Sequence, residues 1–184
     1  MEGKKPYNRI ETVKDWIYFQ YATVIARSII ESRGEHAETR SALNSHFGLI
    51  VSQYNDLKSG RKNMSDYLND SKKALKLDRK CIYCGSEEGE LTFEHIIPRK
   101  VIGETMANHE HNLVLSCREC NTSKSARELI SWWEAKFGAD QLPRKHVLSK
   151  YLKFLYRLHH AQGTLNHPWS EWDTAIFRTG ARNH

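Results

Sequence analysis

Residues 81–124 read CIYCGSEEGELTFEHIIPRKVIGETMANHEHNLVLSCRECNTSK. All four cysteines of the 184-residue chain fall in this stretch, as two Cys-x2-Cys pairs, Cys81/Cys84 and Cys117/Cys120, with 32 residues between the pairs. Two-residue spacing lets both thiolates of a pair face one tetrahedral ion, so the four read as a single zinc site. Gly85 directly after Cys84 permits the tight turn such a knuckle needs. Four thiolates leave no open coordination position for a water, so this ion is expected to hold structure and to take no part in chemistry. Disulfides or two redox pairs are the alternatives, and no thioredoxin-like βαβ pattern accompanies the cysteines.

Between the pairs lie Phe93-Glu94-His95-Ile96-Ile97-Pro98-Arg99 and His111-Asn112-Leu113-Val114-Leu115, and Cys120-Asn121-Thr122-Ser123-Lys124 follows. In these residues the sequence resembles the HNH endonucleases, whose ββα-metal core carries an acidic residue and His, then Asn, then His or Asn, often inside two zinc knuckles. The resemblance covers about residues 79–130. It implies a small ββα-metal core, with His95 as general base, Glu94 and Asn121 as the two ligands of a catalytic metal, and Asn112 as the residue that hydrogen-bonds the intervening loop and orients the base. It also implies products with 5′-phosphate and 3′-hydroxyl ends. Two positions depart from the commonest pattern: Glu stands where Asp is more frequent, and Asn where His is.

The same residues suit phosphodiester hydrolysis on chemical grounds. That reaction needs a base to activate water and a cation to stabilise charge on the phosphate and the leaving oxygen. A neutral imidazole can accept the proton. Glu94 and Asn121 offer oxygen donors only, which favours a hard ion, Mg²⁺ or Mn²⁺, over zinc. Lys124 lies one helical turn beyond Asn121 and is expected to face the same phosphate. Arg99 and Lys100 are expected on the nucleic-acid backbone. Asn121 has the competing role of a helix N-cap. His109 and His111, around Glu110, read as solvated loop residues, Trp132 and Trp133 as packing residues, His159 and His160 as surface residues, and Trp169 and Trp172 as either core or nucleic-acid contacts.

The rest of the chain is expected to be mainly helical, giving an α+β fold in three regions: a helical 1–78, the zinc-bound core 79–138, and a basic helix and tail 139–184. Thr12 and Asp15 predict a capped helix carrying Val13, Trp16, Ile17, Tyr21, Val24, Ile25 and Ile29, ended by Gly34. A second helix is expected over Leu43–Leu57 and a third from Ser65 with Tyr67, Leu68, Leu75 and Leu77. In the core, strands are expected at Leu91–Ile97 and Asn112–Ser116 around a polar loop containing Gly103. One helix is expected from Asn121 to Gly138 and another over Arg144–His160.

The net charge is +6, with 28 Lys and Arg against 22 Asp and Glu. It is distributed as net +5 over residues 1–80, −3 over 81–130 and +4 over 131–184. From Gln141 to Ser170 there is no acidic residue, while Arg144, Lys145, Lys150, Lys153 and Arg157 all fall there. A basic tract of this kind is an expected footprint for a polyanion. No apolar run approaches the roughly 18 residues of a membrane-spanning helix, and the N-terminus has no secretory pattern, so a soluble cytoplasmic protein is expected. The leading expectation is a metal-dependent DNA endonuclease acting on double-stranded DNA, with zinc and Mg²⁺ or Mn²⁺ and no small-molecule cofactor; restriction or phage defence, with a homodimer cutting both strands, is one role open to it, and a monomer would nick. The alternatives are a mobile-element nicking nuclease and a non-catalytic zinc-stabilised nucleic-acid-binding module.

Overall fold

The computed structural model describes residues 10–66 and 79–169. Within these the chain forms two compact units, one of residues 10–66 with 152–169 and the other of residues 79–151. This division cuts the chain differently from the three sequence regions, because a helix joins the unit it packs in, whatever its place in the sequence.

The first unit is helical. Helix α1, Val13–Ser32, opens on the expected capping box: the Thr12 hydroxyl accepts from Asp15 N at 3.1 Å, and Asp15 Oδ2 accepts from Thr12 N at 3.2 Å. Asp15 does more than cap, since its Oδ1 accepts from Tyr54 Oη at 3.0 Å and pairs with Lys58 Nζ at 2.9 Å. Burial would raise the Asp15 carboxyl, but the bonds from Lys58, Tyr54 and Thr12 hold it below the usual carboxylate value. Ile17, Tyr21, Ile25 and Ile30 are buried along α1, which packs against helix α3. The helix expected over Leu43–Leu57 is two: α2, Arg40–Asn44, and α3, Phe47–Lys58. The break falls at Ser45, whose hydroxyl bonds back to Ala42 O at 2.7 Å and so competes with the helical ladder. The helix expected from Ser65 lies outside the described residues, as does Trp172.

The second unit holds the sheet. Strands β1, Leu91–His95, and β2, Leu113–Cys117, pair antiparallel with Glu94 opposite Val114 and His95 opposite Leu113. The connection expected as a polar loop is instead helical: α4, Arg99–Ala107, interrupted at Gly103, whose φ of 77° breaks the helix. The single helix expected from Asn121 to Gly138 is also two, α5, Arg118–Lys124, and α6, Leu129–Phe137. Ser125 separates them at φ 48°. Helix α5 packs across both strands, so the unit is a two-stranded sheet with a helix on one face. The expected packing role of the tryptophans is met: Trp132 and Trp133 are buried, with Trp132 edge-on to Tyr83 at 4.9 Å. The last helix, α7, spans Lys145–Ala161; residues 145–151 belong to this unit and 152–161 to the helical one. The architecture is α+β with helical flanks, and no described helix is long and apolar enough to cross a membrane.

Candidate active site and metal centre

The four cysteines converge. Their Sγ atoms all lie within 4.8 Å of one another, and Cys84 Sγ is 3.8 Å from Cys117 Sγ. A tetrahedral zinc with Zn–S of about 2.3 Å places its sulfurs about 3.8 Å apart, so the cage has the dimensions and the donors of a zinc site. None of the four forms a disulfide. Local backbone builds each knuckle. Cys81 N donates to Ser86 O at 2.8 Å, Gly85 N donates to Cys81 O at 2.8 Å, and Gly85 holds φ 79°. On the other side, Cys117 is the N-cap of α5 and its sulfur accepts from Cys120 N at 3.5 Å.

The electrostatics of the cage call for a cation. Burial works to raise Cys81, yet hydrogen bonds with the backbone at Cys117, Cys84 and Tyr83 bring it down to about 7. Cys120 is pushed far up, first by burial and then by the charge of Cys81. One thiolate therefore opposes the next, and four together need a positive ion among them.

Strand alternation sorts the other candidates onto two faces. Thr92 and Glu94 point to the face that α5 covers; Leu91, Phe93 and His95 point away from it. Asn121 and Lys124 stand one turn apart on α5 and meet the first group. Asn121 Nδ2 donates to Thr92 Oγ1 at 3.0 Å. Lys124 Nζ donates to Glu94 Oε1 at 2.7 Å and to the His95 carbonyl at 2.8 Å. Glu94 and Asn121 are thus gathered at the same strand–helix seam. Asn121 does not cap its helix, because the cap is Cys117, four residues earlier.

Lys124 differs from its expected role. It is 0% exposed and paired with a Glu94 that is 6% exposed, so it faces an internal carboxylate, away from solvent and any phosphate in it. Burial lowers its pKa against the pull of Glu94 and Glu128. Two fully buried hydroxyls, of Tyr83 and Ser116, have no hydrogen-bond partner among the described residues. Tyr83 is driven well above the usual phenol value by burial, and next by the charge of Glu94.

His95 ends β1 and is half-buried. Its Nε2 stands 3.1 Å from Asn108 Oδ1. Asn108 closes α4. Sequence reasoning missed it, because an Asn in a polar loop carries no distinguishing signal. Asn112 is fully buried and ties down the segment after His95: its Oδ1 accepts from Ile97 N at 2.8 Å, and its Nδ2 donates to Ile97 O and Ala107 O, each at 3.0 Å.

The basic residues are dispersed. Arg99 and Lys100 are exposed, and Arg99 pairs with Glu104 at 3.2 Å. Arg144 is also exposed but donates to Cys84 O at 3.0 Å, bracing the first knuckle. Lys145 is half-buried, Lys150 donates to Leu113 O at 2.6 Å, and Lys153 is buried. Arg157 is exposed, in the helical unit. The acid-free tract is therefore no uniform basic surface. His109 and His111 stack at 5.0 Å beside an exposed Glu110. His159 is a further difference: expected at the surface, it is buried and its Nδ1 lies 2.8 Å from Thr164 Oγ1. Trp169 stacks on Trp16 at 4.9 Å.

Residues 81–127 match the family model described as HNH endonuclease. No curated protein and no solved structure matches the chain. The matched segment contains all four clustered cysteines, both strands and the helix that covers them, and it supports nuclease-type chemistry on nucleic acid in general. In this segment the chain is similar to the HNH endonucleases.

Proposed function

We propose that the protein is a metal-dependent DNA endonuclease in which His95 is the general base and Glu94 and Asn121 hold one Mg²⁺ or Mn²⁺. The observation that carries this is the seam between β1 and α5. It carries Glu94 on the strand and Asn121 on the helix, each bonded across the seam, with the half-buried imidazole of His95 next in the chain to Glu94. The donor set is all oxygen, a carboxylate and an amide carbonyl, which fits a hard cation. When bound, such an ion stabilises negative charge on the phosphate and on the departing 3′-oxygen.

The chain's own residues supply the rest. With Asn108 Oδ1 accepting from His95 Nε2–H, Nδ1 keeps its lone pair and takes the proton from the attacking water. Asn112 fixes the segment that follows His95, so the ring's position does not depend on the loop relaxing. Lys124 is a positioning residue: one ammonium ties the metal-ligand carboxylate to the backbone of the base. Exposed Arg99 and Lys100 are the nearest cations in sequence to His95 and offer contacts for the backbone phosphates. A structural zinc in the Cys81, Cys84, Cys117 and Cys120 cage keeps the two strands and α5 together.

Under this reading the helical unit, with Arg157, serves DNA binding or dimerisation. A homodimer would cut both strands of a duplex, as restriction and phage defence require; a monomer would nick. The test is supercoiled plasmid incubated with purified protein and Mg²⁺ or Mn²⁺ beside His95→Ala. Metal-dependent linear or nicked product, with 5′-phosphate ends, is expected from the parent and at least a hundredfold less from the variant, in line with loss of a general base. Undiminished cutting by His95→Ala removes His95 from its role, and no cutting of DNA of any form favours the non-catalytic binding module.

A further inference from the structure

Among the described residues one large apolar side chain is exposed: Phe93, at 71%. Its neighbours on the chain are accounted for. Thr92 and Glu94 meet α5, and Tyr83, Trp132, Trp133 and Tyr151 of this unit are buried, with Phe137 half-buried against the two tryptophans. Phe93 has no place in that core. It stands in the middle of β1, opposite a half-buried Leu115 on β2, on the sheet face that α5 leaves open. His95 is the next residue on that face, and two strand residues separate their Cα atoms by about 6.6 Å. That is about two base-stacking rises of 3.4 Å along one strand.

We infer that Phe93 is a base-stacking platform beside the scissile phosphate, so that the enzyme selects DNA whose bases are unstacked at the cut. The inference rests on the nuclease reading of the preceding section. An exposed phenyl on an open sheet face can stack on any base, and such stacking tolerates sequence. In an intact duplex both faces of every base are covered by its neighbours. Phe93 therefore engages a single strand, a gap, a branch or a displaced nucleotide without an unstacking cost, whereas wedging into a duplex step must first unstack it. A phosphate at His95 would put the stacked base within one or two nucleotides of the bond cut, while Arg99 and Lys100, exposed just beyond Pro98, stand ready for the flanking backbone.

The experiment uses the full zinc-loaded chain carrying His95→Ala, in Ca²⁺, so that nothing is cleaved. Binding of a labelled 20-nucleotide single strand and of its duplex is measured by fluorescence anisotropy, with and without Phe93→Ala and Phe93→Trp. A strand carrying 5-iodouracil is photo-crosslinked in parallel and the adduct mapped by mass spectrometry. Phe93→Ala is expected to weaken single-strand binding about 5- to 150-fold, the range of one lost base stack, and to change duplex binding less than twofold. Phe93→Trp is expected to restore binding, and the crosslink to fall in the peptide containing Leu91–His95. Equal or absent loss on both DNAs, or a crosslink confined elsewhere, overturns the inference. So does a change of sedimenting species in Phe93→Ala, which would make the phenyl a contact between copies. If the parent binds no nucleic acid at all, the nuclease reading itself fails; if it binds and cuts while Phe93 is indifferent, only this inference does.

Discussion

The two units reach order by different means. In the helical unit, residues 10–66 with 152–169, Ile17, Tyr21, Ile25, Leu57, Phe154 and Leu155 are buried in an apolar interior, and its polar bonds, such as those of Asp15, sit at helix ends. The sheet unit has two strands of five residues each, too little sheet to stand on its own. Besides buried aromatics such as Tyr83 and Trp132, it is held by a four-sulfur cage, a buried Lys124–Glu94 pair and an Asn112 that makes three buried hydrogen bonds. Packing can be spent anywhere in a fold, whereas directional bonds fix particular atoms. The candidate active site lies in the unit that adds the cage and the buried pair to its packing.

The largest effect follows from removing the ion. Structural zinc in small domains is worth on the order of 10 kcal/mol of folding free energy. Stripping it with a strong chelator, or replacing Cys117 by Ser, is expected to abolish amide-exchange protection in β1, β2 and α5 while α1 and α3 keep theirs. Loss of protection in both units together would break the comparison, by showing that the helical unit depends on the same ion.

Next comes the buried pair. Lys124→Met leaves the buried Glu94 carboxyl without its partner, which costs about 3–5 kcal/mol. Removing both charges in Glu94→Met/Lys124→Met is expected to recover most of that stability, since an apolar substitute of similar volume is often neutral. Cleavage should be lost in both variants. Urea denaturation of Glu94→Met, Lys124→Met and the double variant measures the coupling; additive losses would show that the pair is not a unit.

How much of this was legible in sequence follows the same line. The four-cysteine cage was legible because two Cys-x2-Cys pairs at this separation have few other uses. The α1 cap was legible because Thr12 and Asp15 are local. Asn112 and His95 were recognisable as a motif. The ion pair was not: Lys124 and Glu94 are 30 residues apart, and a lysine one turn past Asn121 looks the same whether it faces phosphate or a buried carboxylate. The break between α5 and α6 was hidden too, because Ser125 adopts φ 48° where a Gly or Pro would have announced it. His159 read as a surface residue because it follows Leu158 and precedes an exposed His160, and only the fold shows which side of α7 is covered.

A pair of glycines separates backbone strain from crowding. Gly34, in the helical unit, and Gly85, in the first zinc knuckle, both hold φ 79°. A Cβ on Gly34 meets nothing within 4 Å, whereas one on Gly85 would lie 2.5 Å from the Arg144 guanidinium. Gly34→Ala is expected to cost about 1–2 kcal/mol from left-handed strain alone. Gly85→Ala adds displacement of Arg144 from Cys84 O, and a faster loss of zinc to a chromogenic chelator is expected. Equal thermal shifts and unchanged zinc release would mean that Arg144 moves aside freely and does not brace the knuckle.

The smallest effect belongs to the helical unit and depends on pH. Burial lowers the His159 pKa, and nearby His167 lowers it further. The folded protein then holds this imidazole neutral at a pH where the unfolded chain, with a pKa near 6.5, already takes up a proton. The stabilisation is present in full above about pH 6.5 and is lost as pH falls from there through the depressed folded value. Thermal unfolding followed on helix α1 should therefore drop between pH 7.5 and 5, by about 2–4 °C for each kcal/mol of linkage in a chain of this size. His159→Gln cannot titrate but can still bond Thr164, so its melting temperature should fall less over the same interval. The chain has nine other histidines, and the difference between parent and variant isolates this one. Parallel pH curves would mean that the imidazole is protonated as readily inside the fold as outside it, and that the apolar interior of the helical unit is wetter around α7 than its burial indicates.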